Sequence, residues 1–225
     1  MQAPNLIETR TLAEQIAARM RDDVLSGQLA AGRRLSQEAL AEQYAVSRVP
    51  VRDALRMLHA EGLISTHPRF GTTVAPLSVP DLEELYEMRV ALEPVVARRA
   101  TPNMRPRDRD EMARQLEIMG SSSQDSAGWF AAHAAFHRAL NERSGRERIC
   151  ALVDRLRAQT ERYVRAYQLI EWPAVELQVE HEVIHATVGR GDPEEVATVV
   201  RKHLEVVPDR MLDYLRARDG AEAAG

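Results

Sequence analysis

The sequence predicts a mainly α protein in two parts: three helices closed by a β-hairpin, then an all-α antiparallel helical bundle. Three observations predict it. Apolar residues recur at helical spacing in three short runs between Thr11 and Gly62. Two β-prone stretches flank a Pro68-Arg69-Phe70-Gly71 turn. Beyond residue 76 no strand signal appears, and long helix-period runs take over. At 225 residues the chain is long enough for two modest domains that each bury a core.

The first ten residues read as a frayed arm. From Thr11, the spacing of Leu12, Ile16, Met20 and Val24 predicts an amphipathic helix ending near Gly27. Leu29 to Leu35 is a connector containing Gly32. Ser36 caps a second helix through about Tyr44, with Leu40 facing inward. Ser47 caps a third, and Pro50 falls in its first turn, where a missing N–H costs nothing. Val51, Leu55 and Leu58 form its buried stripe, and Gly62 stops it. Leu63 to Ala75 reads as the hairpin.

These elements set the first domain at 1–76. Pro76-Leu-Ser-Val-Pro80 supplies a rigid linker at 77–80, the bundle occupies 81–217, and 218–225 is expected to be a disordered tail. The bundle helices fall at roughly 81–100, 105–120, 127–143, 146–170, 173–190 and 193–217. Thr101–Pro106, Ser121–Asp125, Gly145, Trp172-Pro173 and Gly189–Asp192 break them. Asp192-Pro193-Glu194-Glu195 supplies an N-cap, a proline at the first helical position and a capping-box glutamate.

Hydrophobic content of 44% and charged content of 28% fit an ordinary globular chain. No apolar run approaches the ~20 residues that span a bilayer, so no membrane partner is expected. The start MQAPNLIETR lacks the charged-then-apolar pattern of a secretory signal, and Cys150, the single cysteine, allows no intrachain disulfide. The expected location is cytoplasmic. Net charge is −4 overall, split as +1 over residues 1–76 and −5 over the remainder. Charge alone does not mark a nucleic-acid binder, so position has to carry that argument.

Helix, helix, short turn, helix, hairpin is the order of a winged helix-turn-helix. The third helix opens Ser47-Arg48-Val49-Pro50-Val51-Arg52. Its free N–H groups, with the Ser47 hydroxyl beside them, suit a phosphate. Arg48, Arg52 and Arg56 follow one another along a side of the helix. The planar guanidinium matches guanine O6 and N7 in the major groove. The hairpin tip, Arg69-Phe70-Gly71, suits the minor groove or a phosphate. The plainer alternative is a solvated arginine helix on an interaction protein.

The pattern Gly27 … Gly32-x-x-Leu35, Leu40-Ala41, Val46-Ser47-Arg48-x-Pro50-Val51-Arg52-Asp53-Ala54-Leu55, Glu61-Gly62-Leu63 and Gly71-x-x-Val74 resembles the GntR family of regulators over residues 10–76. The resemblance implies operator contacts from Ser47, Arg48, Arg52 and Gly71, with a backbone contact from Gln37. It also implies a homodimer whose two recognition helices read a palindromic double-stranded DNA operator.

Five of the seven histidines lie beyond residue 130. His133 and His137 share a stripe with Phe130 and Leu140, and His181 and His203 fall on two later helices. Imidazoles from three helices can converge on one metal ion; equally, each can be a core histidine held by its own hydrogen bond. A competing motif is His181-Glu182-Val183-Ile184-His185, which matches the H-E-x-x-H of zinc metallohydrolases, with Glu205 at the distance of a third ligand.

Arg89-x-x-x-Glu93, Phe136-His137-x-x-Leu140, Ser144-Gly145, Glu180-His181-x-x-Ile184-x-Ala186, Gly191-Asp192, Ala197 and His203-Leu204 are similar to the FadR-type, FCD-domain branch of that family over roughly 80–215. That resemblance implies a divalent ion at His133, His137, His181 and His203. It also implies a small carboxylate effector near Arg89, Tyr86 and Glu93, and a repressor whose operator binding the effector relieves or alters; His185 is left as a residue behind the metal ligands or in the effector pocket. The chain departs from the pattern at His133, where the branch usually has Asp, and at Arg146, where it often has Asn. Four neutral imidazoles favour Zn²⁺ or Ni²⁺ over Mn²⁺, which prefers carboxylate oxygen.

Overall fold

The computed structural model describes residues 11–67, 69, 71–123, 127–168 and 174–223. The expected N-terminal arm, the Trp172-Pro173 break, Pro68 and Phe70 of the hairpin turn, and the last two residues lie outside these. The chain divides into two compact units, 1–76 and 77–225.

In the first unit α1 (Leu12–Leu25) opens on a full capping box, in which Thr11 and Glu14 satisfy each other's backbone N–H groups. α2 (Gln37–Gln43) is capped by Ser36, and α3 (Arg48–Ala60) follows Ser47. Between them Ala45 takes a left-handed φ of 52°, which lets the chain reverse within a short turn. β2 (Ile64–His67) and β3 (Gly71–Val74) form the hairpin. The connector contributes more than the sequence suggested, since Arg34–Leu35 form β1 and give a three-stranded antiparallel sheet in the order β1-β3-β2. The pairing is held by Gly32 N–H to Val74 O (3.0 Å) and Val74 N–H to Arg33 O (2.9 Å). Two residues carry no alternation to detect, so this strand exists only through its partner. Met20, Leu35, Val51, Leu58, Leu63 and Val74 fill the core beneath the sheet. Each contributes on the order of 1.5–3 kcal/mol of burial. Arg21 clamps α1 to the end of α3 through both oxygens of Glu61, at 2.8 and 2.6 Å.

The second unit holds α4 (Val79–Ala100), α5 (Pro106–Ser121), α6 (Ala127–Asn141), α7 (Glu147–Gln168), α8 (Ala174–Arg190) and α9 (Pro193–Ala223). α4 packs against α7 and α9, and α5 against α6 and α8. Two boundaries differ from expectation. α4 begins inside the expected 77–80 linker, because Ser78 accepts the Asp81 N–H (3.2 Å) and Pro80 sits in the first turn, which needs no N–H from it. α9 runs to Ala223, into the expected tail. The added residues are mostly good helix formers, and one glycine, Gly220, costs only about 1 kcal/mol. At the start of α9 the Asp192 carboxylate accepts the N–H groups of Glu194 (2.9 Å) and Glu195 (3.1 Å), as its position predicts.

Tyr163 of α7 ties down the start of α4. Its hydroxyl accepts the Ser78 N–H (3.2 Å) and donates to the Asp81 carboxylate, and Arg162 pairs with the same carboxylate at 2.7 Å. Burial pushes the Tyr163 pKa up to about 12, and the bond to Asp81 adds to that, so the phenol remains a donor at neutral pH. Leu82, Met112, Phe136, Ile184 and Leu204 make up the centre of this unit's core.

Candidate functional site

Two places gather the residues that the sequence singled out. On the first unit, α3 turns its apolar stripe inward and presents Arg48, Arg52 and Arg56 outward, with side chains 68%, 49% and 71% exposed. Arg48 pairs with Glu38 at 3.0 Å, and Asp53 lies 3.6 Å from Arg52 and 3.4 Å from Arg56. Ser47 makes no capping bond to the helix, so its hydroxyl is not committed to the first turn. Gln37 is exposed at the start of α2, and Arg69 is exposed in the hairpin turn. Gly71 opens β3 at φ 75°, a conformation that L side chains rarely adopt. The Arg34 guanidinium lies beside it, 3.5 Å from where a Cβ would stand. Sequence reasoning passed over Arg34; the Arg33-Arg34 doublet before the buried Leu35 is the signal that marks it.

On the second unit, His133 and His137 of α6, His181 of α8 and His203 of α9 come together, with one ring nitrogen of each within 4.8 Å of the others. The outer bonds of two of them fix their tautomers. His181 Nδ1–H donates to the Leu177 carbonyl (2.7 Å), and His203 Nδ1–H donates to the Glu180 carboxylate (2.7 Å). Nε2 of each is therefore left as a lone pair in the neutral ring, the arrangement that metal-binding histidines adopt. His137 Nε2 stands 3.1 Å from His181 Nε2. His133 stacks on Trp129 with ring centroids 5.0 Å apart. Burial, more than the neighbouring cations, holds His133, His137 and His181 well below the ordinary imidazole pKa. Neutral nitrogen donors are what a borderline divalent cation requires, so the residues present fit one.

Beside this cluster lies a cavity of about 230 Å³, lined in part by Tyr86, Arg89, Trp129, His133, Arg157 and His203. Arg89 is buried. Its Nε donates to Glu93 (2.7 Å), its Nη1 donates to the Thr160 hydroxyl (3.1 Å), and its guanidinium lies 4.8 Å from the Tyr86 ring centre. Glu93 sits behind this wall, its other oxygen taken by Arg157. Burial opposes ionisation of Glu93, but Arg157 and Arg89 together outweigh it and lower its pKa. The sequence did not single out Arg157, Thr160 or Trp129.

His185 stands apart from the cavity and the cluster. It lies one turn beyond His181, which carries it past α6 and α9 to the Arg109 carbonyl of α5, 3.1 Å from its Nε2. Glu182 and Glu205 are both exposed. The H-E-x-x-H match therefore assembles no hydrolase centre, and the reading of His185 as a pocket residue finds no place for it there.

No described helix is long and apolar enough to cross a membrane. The chain matches the FCD domain over residues 84–206 and the bacterial regulatory proteins of the gntR family over residues 12–74. An uncharacterized HTH-type transcriptional regulator, BphR of Paraburkholderia xenovorans (strain LB400), is 30% identical over 89% of this chain and 85% of its own length. The HTH-type transcriptional regulator LutR of Bacillus subtilis (strain 168) is 32% identical over 85% of this chain and 97% of its own. Among solved structures, E. coli McbR/YncC superposes with a TM-score of 0.77 at 22% identity, covering 92% of this chain and 99% of that one, which speaks for the fold. With a winged helix-turn-helix followed by an FCD helical domain, and full-length relatives of the same kind, the chain belongs to the GntR family of bacterial transcriptional regulators.

Proposed function

We propose that this regulator is a cytoplasmic homodimeric repressor that binds a palindromic operator and responds to a small organic acid held in its FCD domain. The observation that carries the reading is the meeting of four imidazoles beside a cavity walled by Arg89 and Arg157. On the DNA side, Ser47 and Arg48 would hold phosphate while Arg52 reads a base edge, with Arg56 further along the helix and Gln37, Arg69 and Gly71 at its flanks. His133, His137, His181 and His203 would hold a divalent ion, Zn²⁺ or Ni²⁺. When bound, the ion would supply a positive charge that attracts an anionic ligand. Leu177 and Glu180 orient two of the rings, and Trp129 holds a third in its stacked position. A coupling of ~1–3 kcal/mol between cavity and operator would change occupancy roughly 5- to 150-fold.

The test joins elemental analysis of the purified protein with mobility shifts on inverted repeats drawn from sequences flanking its gene. About one divalent ion per chain, lost in His137→Ala and His203→Ala, and a shift that a carboxylate weakens, are the expected results. A metal-free protein whose DNA binding ignores every organic acid tried would end the effector reading.

A further inference from the structure

The two buried arginines of the cavity wall differ in one respect. Arg89 gives Nε to Glu93 and Nη1 to Thr160, and none of its nitrogens is both buried and without a partner among the described residues. Arg157, whose side chain is only 10% exposed, gives Nη2 to Glu93. Its Nε and Nη1 are shut off from solvent and have no hydrogen-bond partner among the described residues. An unpaired buried donor on a charged group is costly, and natural interiors rarely leave two on one side chain. The charges leave the same excess. Arg89 and Arg157 share one buried carboxylate, so the wall carries one positive charge that nothing inside it balances. The acids nearer the rim are engaged elsewhere: Asp154 lies 3.8 Å from Arg138, and Glu161 holds Arg165 at 2.8 Å. Asp154 still acts on Arg157 through space, but its side chain is 41% exposed and solvent screens it. The remaining lining is largely apolar: Trp129, Phe130, Val164, Leu177 and Leu204.

We propose that Arg157, rather than Arg89, receives the effector's carboxylate, and that the effector is a compact monocarboxylic acid with an apolar body. This rests on the effector reading above. The carboxylate supplies the acceptors that Arg157 lacks and the negative charge that the wall lacks, while Trp129, Phe130 and the aliphatic side chains cover the rest of the molecule. Arg89 is then a positioning residue, which holds Glu93 so that Glu93 fixes Arg157.

The test is calorimetric titration of the full-length protein, as purified, with isobutyrate, benzoate, succinate and glucose. Isobutyrate or benzoate should bind more tightly than succinate, and glucose should not bind. Arg157→Lys keeps the charge and can still reach Glu93, but loses the extra N–H groups. It should weaken binding at least tenfold, and Arg157→Met further. Arg89→Lys should change it no more than about threefold. Thermal melts check that each variant folds; if Arg157→Met does not, Arg157→Lys carries the comparison. Wild-type affinity in Arg157→Lys together with lost affinity in Arg89→Lys overturns the assignment and leaves the effector reading intact. Preference for succinate overturns the ligand class alone. If no carboxylate binds wild type, the effector reading itself falls, and this inference with it.

Discussion

Arginine does opposite work in the two units. On α3, Arg48, Arg52 and Arg56 are 68%, 49% and 71% exposed, and each faces a surface carboxylate. Such pairs are worth at most about 1 kcal/mol and weaken with salt, so a phosphate can displace the carboxylate at little cost. In the FCD domain, Arg89 and Arg157 are 5% and 10% exposed and share Glu93, which is itself 1% exposed. There the desolvation of three charges has already been met, and the arrangement holds only while all three remain. The same side chain is exchangeable on α3 and fixed in the FCD domain; burial decides which.

The comparison breaks most visibly at Glu93. Glu93→Gln leaves two buried guanidiniums with no counter-charge and should destabilise the FCD domain by ~3–5 kcal/mol. At ~2–4 °C per kcal/mol, that lowers its melting temperature by roughly 6–20 °C, read by circular dichroism. A shift inside ~2 °C would mean that the buried pairs behave like those of α3. Stripping the proposed metal should come next. An ion present at 100 times its Kd stabilises by ~2.7 kcal/mol, and chelation should remove that amount from wild type but not from His203→Ala. Arg52→Ala sharpens the other side. It should cost ~1–3 kcal/mol in operator affinity and blunt preference at one base pair, while the unfolding free energy stays within ~0.5 kcal/mol of wild type. Equal losses in binding and stability would show that α3 does not hold its arginines loosely. The smallest effect is expected at Ala45, whose left-handed φ of 52° suits glycine better. The strain relieved, ~1–2 kcal/mol, is partly offset by the freer unfolded chain, so Ala45→Gly should gain no more than about 1 kcal/mol. A clear loss in the first unit's denaturant midpoint would show that the strain is not local.

Much of this was legible in the sequence because caps and stripes are local. Ser36, Ser47 and Asp192 sit where their side chains or backbone start helices, and Val51, Leu55 and Leu58 are buried as their spacing requires. The four histidines were picked out through the resemblance to the FCD branch, and the structure brings together that helical step on α6 and the single positions on α8 and α9. What escaped was set by partners. β1 has two residues and exists through β3. His185 has the same residue type and helical register as His181, yet one turn along the axis gives it a different neighbour. Arg157 was one arginine among 29. It did leave a trace: Val153, Leu156, Thr160 and Tyr163 mark the buried side of α7, and Arg157 falls among them at i+4 from Val153 and i−3 from Thr160. A charged residue on a buried stripe is the signal to look for.

The Tyr163 bonds at the start of α4 also set an order of events during synthesis. The first unit closes on near neighbours: Arg21 and Glu61 are 40 positions apart, and its sheet is complete at Val74. Once residue 76 has left the ribosome, that unit has every contact it needs. α4 is next to emerge, but its first turn is fastened by residues 81 to 85 positions later, and the α9 surface that it packs against comes later still. Long-range closure of this kind is slow, and chains fold from the N-terminus as they emerge. A ribosome stalled near residue 150 would therefore carry a finished DNA-reading head followed by helices that still expose their apolar faces. That intermediate, rather than the finished protein, is where a chaperone has something to hold.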